Sequence, residues 1–156
     1  MTKVLMSPTM ELKPEWIDQN GHLNMAYYSV LFDTGLDEAV TSFGLGWDYT
    51  SGGTHTTFTG EFRIRYLREL HLGARVRASF RLLDVGPKAY HFCQELVHEE
   101  GWIAATGEGI SLHIDQSGPR VAPYPDAIKA RLDAVLADHA TLPVPDWVGS
   151  TMQLRK

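Results

Sequence analysis

The chain divides by the period of its apolar residues. From Asn24 to Phe43 they recur every three or four positions, as Tyr28, Phe32, Leu36, Ala39, Val40 and Phe43, while Asp33, Asp37 and Thr41 fall on the other side. That spacing predicts an amphipathic helix, and Gly44 is placed to stop it. Gly35 in mid-helix costs roughly 1 kcal/mol relative to alanine, a cost that close packing against a sheet explains. After the loop of residues 44–53 the period becomes two. Phe58, Phe62, Ile64 and Tyr66 alternate with Thr57, Thr59, Glu61, Arg63 and Arg65; Ala74, Val76, Ala78, Phe80 and Leu82 alternate with Arg75, Arg77, Ser79 and Arg81. Two half-buried strands are predicted, with residues 67–73 as their connection.

Residues 89–98 and 102–114 read as two more strands, apolar on both faces as central strands are. Residues 127–138 form a second helix carrying Ile128, Leu132, Val135 and Leu136. Residues 4–13, interrupted by Pro8, make at most an edge strand. Consecutive strands with tight turns predict antiparallel neighbours, with the long helix covering one face. The fold class is α+β: residues 1–140 form one domain, a curved antiparallel sheet wrapped around a long central helix, and residues 141–156 form a tail.

A length of 156 residues fits one domain with a real core. A formal net charge of -5 argues against non-specific nucleic-acid binding, which rests on a basic face. Cys93 is the single cysteine, so neither an intrachain disulfide nor a cysteine zinc site is available. Mid-strand, it reads as a small buried hydrophobe rather than a nucleophile. Neither a signal-peptide core nor a membrane-spanning run is present, so a cytoplasmic protein without a membrane partner is expected. The seven histidines include no His-x-x-x-His pair, and no metal is expected. Gly-x-Ser-x-Gly is absent, and Gly44-Leu45-Gly46 follows a helix rather than a strand, which removes its meaning as a dinucleotide loop.

The chemistry concentrates in residues 16–28. Asn20-Gly21 is a turn signal, and Asn24 can cap the helix through its side-chain oxygen. Asp18 then sits near the exposed amides of a helix N-terminus. It can act on an acyl group as nucleophile or general base, or simply stabilise the helix. His22 either positions a substrate or holds the loop, and Asn24 suits a cap better than a catalyst. Tyr27 and Tyr28 point in different directions, one toward the core and the other toward a pocket. Arg63, Arg65, Arg75, Arg77 and Arg81 make a basic stripe, read as a solvated strand face or a subunit contact.

The run Asp18-Gln19-Asn20-Gly21-His22-Leu23-Asn24-Met25-Ala26-Tyr27-Tyr28 resembles the D-x-x-G-H-x-N-x-x-Y-Y signature of the 4-hydroxybenzoyl-CoA thioesterase-like group of hot-dog proteins. Glu61 to Leu70 is similar to the strand that follows the helix in that group. The resemblance implies a hot-dog fold and cofactor-free hydrolysis of an acyl-CoA thioester of a short or polar acyl group. It assigns catalysis to Asp18 and the oxyanion contact to the Met25 N–H, beside His22 and Asn24. It also implies a homodimer or homotetramer with the site at the subunit interface.

Three narrower segments look like betainyl-CoA thioesterases, which occur alone or fused to carnitine dehydrogenases: Pro14-Glu15-Trp16-Ile17-Asp18, Tyr66-Leu67-Arg68-Glu69 and the helix of residues 125–137. For a quaternary ammonium substrate, Glu61 with Trp47, Tyr49, Phe58 or Trp102 could form a cation box; an ion pair of Glu61 with a neighbouring arginine competes with that role. Tyr28 is a pocket-lining candidate, and Arg68 is the candidate for a CoA phosphate. An acyl-carrier-protein thioesterase and a non-catalytic acyl-CoA binding module stay open as alternatives.

Overall fold

Asn24 starts the long helix by satisfying a backbone donor that the helix itself leaves empty: its side-chain oxygen accepts the Ala26 N–H at 3.0 Å. The structure, a computed structural model, describes residues 4–155, so the first three residues of the expected domain lie outside it. Helix α1 spans Met25–Ser42 and buries Tyr28, Leu31, Phe32, Gly35, Ala39 and Val40. That is the face the apolar period marks. The sheet comprises β1 (Leu5–Met6), β2 (Met10–Glu11), β3 (His55–Tyr66), β4 (Arg75–Val85), β5 (Ala89–His98), β6 (Ile103–Asp115) and β7 (Arg120–Val121). A short helix α2 (Trp47–Ser51) stands where the sequence predicts only loop, and α3 (Asp126–His139) follows the sheet.

All pairings are antiparallel, in the order β1-β4-β5-β6-β3, with β2 also on β4 and β7 also on β6. This is the hot-dog arrangement, α1 being the helix the sheet curves around. Its topology corrects one expectation, that consecutive strands are neighbours: β3 pairs with β6 and not with β4. The connection after β3 is drawn toward β6, because Leu67 and Arg68 both donate backbone N–H groups to the Ala104 carbonyl, at 2.9 and 3.0 Å. The outer edge of β3 pairs with no strand among the described residues.

The first strand is two short ones. Between them the Ser7 N–H bonds the Ala78 carbonyl, and the Ser7 hydroxyl accepts the Ala78 N–H, both at 2.9 Å. A bulge between Thr59 and Glu61 resets the side-chain alternation of β3. Phe58 is therefore 48% exposed. Phe62 instead reaches the core, meeting Phe32 at 5.6 Å and Phe92 at 6.0 Å between ring centroids.

The basic stripe is also corrected. Arg81 is buried and donates to the carbonyls of His139, Leu142 and Pro143. Arg63 pairs with Glu108 at 3.2 Å and donates to the carbonyls of Trp147 and Ser150, while Arg77 Nε donates to the Ser7 carbonyl at 2.8 Å. Residues 141–150 thus run over a guanidinium-bearing face. Covered guanidinium groups need acceptors, and the tail's carbonyls supply them.

Gly35 meets the sheet as its place in the helix predicts: a Cβ there would lie 2.4 Å from the Ala78 Cβ. Gly35→Ala should lower stability by about 1–3 kcal/mol despite the better helix propensity of alanine. Urea unfolding checks this, and an unchanged or raised midpoint would contradict the close approach.

Candidate active site

Residues 14–24 form a knot that aims Asp18 at the start of α1. A 3-10 turn at Pro14–Trp16 leads in, and the Trp16 ring stacks on Tyr27 with centroids 5.5 Å apart. Ile17 and Leu23 form an antiparallel bridge; the Asp18 N–H donates to the His22 carbonyl, and the Gly21 N–H to the Asp18 carbonyl, both at 3.0 Å. Gly21 closes this turn at φ +81, a conformation that favours glycine. The Asn24 N–H bonds the Trp16 carbonyl at 2.9 Å, and the Leu23 N–H bonds Leu70 at 2.7 Å. The second bond ties the knot to the connection after β3.

Within this frame Asp18 Oδ1 accepts the Asn20 N–H at 2.8 Å. The other carboxylate oxygen takes no hydrogen bond among the described residues. Asn24 occupies the Ala26 N–H, whereas the N–H of Met25, the first helical residue, has no acceptor among the described residues. Asp18, His22, Asn24 and Met25 open into one cleft of about 820 Å³. A carboxylate and an unfilled amide in one cleft can attack, or deprotonate an attacker of, a carbonyl whose oxygen gathers charge.

The rest of the lining is Tyr28 of α1, Tyr66 at the end of β3, Arg68, Glu69 and His71 of the connection after it, and Trp102 just before β6. The Tyr66 hydroxyl donates to the Met25 carbonyl at 3.4 Å, and the rings of Tyr28 and Tyr66 meet edge to face at 5.0 Å. Burial pushes the Tyr28 hydroxyl above its ordinary pKa, with a hydrogen bond to the Leu70 backbone acting in the other direction. Arg68 lies over the Trp102 ring, 4.0 Å from its centroid, and His98 stacks on the same ring at 4.2 Å. His71 bonds the Gly21 carbonyl through Nδ1 at 3.3 Å.

Seven candidate residues thus come together: Asp18, His22, Asn24, Met25, Tyr28, Arg68 and Trp102. Glu61, Trp47 and Tyr49 do not join them within one chain. Trp47 and Tyr49 lie on α2, beyond the far end of an 18-residue helix, about 27 Å from its start. Trp47 is 81% exposed, and the Tyr49 hydroxyl bonds His113 Nε2 at 2.8 Å. Glu61 follows the bulge and lines a separate hollow with Arg63, His91 and Glu108. Burial raises the Cys93 thiol to about 12, which suits an inert hydrophobe.

Tyr66, Glu69 and His71 are cleft residues that the pattern along the chain assigns only to a strand end and a connection. Their signal is topological, because strand ends gather at the helix N-terminus only once the pairing order is known. Among the described residues no cluster of histidine, cysteine and acidic side chains could hold a metal, and no helix is long and apolar enough to cross a membrane.

The model of the thioesterase-like superfamily matches residues 12–132. The betainyl-CoA thioesterase of Pseudomonas aeruginosa is 34% identical over 155 residues, covering 99% of this chain and 98% of that protein. An L-carnitine dehydrogenase/betainyl-CoA thioesterase of Agrobacterium fabrum is 34% identical over 135 residues, which are 86% of this chain but 28% of that longer protein. Among solved structures, a Staphylococcus aureus protein in complex with CoA shares the fold with a TM-score of 0.91 at 24% identity, covering 99% of this chain and 98% of that one.

Asn24→Ala removes the cap bond and should cost about 1 kcal/mol of stability, with Asn24→Asp costing much less. Denaturant midpoints of the two variants check this, and equal losses would show that the side-chain oxygen is not what matters.

Proposed function

Because this chain belongs to the thioesterase-like superfamily and is a thioester hydrolase, we propose that it hydrolyses acyl-CoA thioesters at the Asp18 cleft, with betainyl-CoA as the favoured substrate. The observation that carries this is the pairing of an uncommitted Asp18 oxygen with an unfilled Met25 N–H in one cleft. The near full-length similarity to the Pseudomonas aeruginosa enzyme supports the acyl group.

In one route the Asp18 carboxylate attacks the thioester carbon, the C–S bond breaks with the thiolate leaving, and water then cleaves the mixed anhydride. In the other, Asp18 takes a proton from the water that attacks. Both routes put negative charge on the carbonyl oxygen, and the Met25 N–H receives it. Asn24 holds the first turn and His22 closes the loop, so both position the site rather than react. Arg68 offers its guanidinium edge to a CoA phosphate. The free edge of β3 is where a second copy pairs to give the homodimer.

Asp18→Asn should lower thiol release from the best acyl-CoA by at least about a hundredfold, with the thermal midpoint close to wild type. Substantial retained turnover would remove Asp18 from the chemistry. A single turnover in heavy-oxygen water tests the first route where water opens the anhydride at the Asp18 carbonyl: the acid then leaves with an unlabelled Asp18 oxygen and the label stays on Asp18, whereas the second route labels the acid and leaves Asp18 unlabelled.

A further inference from the structure

In a betainyl thioester one methylene separates the quaternary nitrogen from the carbonyl carbon, so whatever recognises the cation must lie in the same cleft as Asp18 and the Met25 N–H. This short tether tests every acidic group near an aromatic ring. Within one chain Glu61 fails it, since it lines a different hollow beside Arg63 and His91. Asp33 looks attractive, facing Phe62 and Tyr66 in a groove of about 440 Å³ between α1 and β3. It also fails, because it lies eight positions beyond Met25, about 12 Å along the helix.

Glu69 passes. It lines the cleft with Asp18 and Met25 and pairs with no arginine or lysine among the described residues; the His71 imidazole Nε2 stays 3.7 Å from Oε2, beyond hydrogen-bond range. Tyr66 shares that wall: its hydroxyl reaches the Met25 carbonyl, and the residue is 47% exposed. Trp102, the other large ring of the cleft, is already sandwiched by Arg68 at 4.0 Å and His98 at 4.2 Å and offers no face to a ligand cation. The same stack holds the Arg68 guanidinium on the ring. Asp18 and Glu69 are the two carboxylates that line the cleft.

We infer that Glu69 and the ring of Tyr66 recognise a quaternary ammonium one methylene from the thioester, which makes them the residues that select a betainyl over a neutral acyl group. This rests on the thioesterase reading of the Asp18 cleft. An onium is held by a carboxylate through charge and by an aromatic face through its quadrupole.

The test compares betainyl-CoA with 3,3-dimethylbutanoyl-CoA, its neutral isostere with carbon in place of nitrogen, by free-thiol release. The cation makes its own thioester more electrophilic, so the measured quantity is the ratio of the two kcat/KM values in each variant, from which that intrinsic difference cancels. Glu69→Gln should lower the betainyl-to-neutral ratio at least about tenfold. Tyr66→Leu should lower it too, whereas Tyr66→Phe, which keeps the ring, should retain most of it. Glu69 is exposed, so its variant should fold with an unchanged thermal midpoint. A ratio unchanged in Glu69→Gln overturns the inference. So does a wild-type enzyme that treats both esters alike, though that result leaves the thioesterase reading standing. Hydrolysis of neither ester overturns both.

Discussion

One backbone hydrogen bond, from the Leu23 N–H to the Leu70 carbonyl at 2.7 Å, joins the two walls of the cleft. Leu23 belongs to the knot before α1, and Leu70 ends the connection after β3. Both residues are buried in the same cluster as Tyr28 and Ala105, so the bond is shielded from water. Asp18 reaches its place only because the 17–23 turn is fixed at this point. Tyr66 and Glu69 reach theirs because the connection is fixed there as well. The unfilled Met25 amide needs no special device, since every helix begins with donors it cannot satisfy internally. Asn24 fills the next one along, which leaves a single polar vacancy beside a carboxylate.

What was legible in the sequence was local. The Asn24 cap and the Asn20-Gly21 turn are each settled by a few neighbouring residues and by backbone geometry, while Gly35 in mid-helix signals a close approach without naming its partner, Ala78. Asp18, His22, Asn24 and Met25 are close in the chain, so their meeting in space follows from the same turn. The β3–β6 pairing was not legible, because tight-turn reasoning sees only consecutive strands. The bulge between Thr59 and Glu61 reverses the faces of β3 midway, so Phe58 turns outward although its spacing from Phe62 matches an unbroken strand. The same bulge leaves Phe58 and Glu61 both exposed, but a cation box of Glu61 with Trp47 or Tyr49 at the Asp18 cleft of one chain asks α2 to reach the opposite end of α1.

The arginines show why charge along a strand is a poor guide to what the charge does. Arg63, Arg77 and Arg81 look like a solvated stripe until the tail and the first strand are placed over them. Each then donates to main-chain carbonyls, Arg77 to one and Arg63 and Arg81 to two or three, which the planar fork of a guanidinium suits. Glu108 completes the network, accepting from Arg63, His91 and the Gly149 N–H. With those charges committed to structure, Arg68 is the one arginine lining the cleft, and its guanidinium carbon lies 4.0 Å from the centroid of the Trp102 ring. The Arg68 guanidinium donates no hydrogen bond among the described residues, so its N–H groups can still meet an anion. The acyl end of the cleft is therefore acidic in a way the net charge of -5 does not by itself imply. That acidity follows from where the fold consumes its arginines.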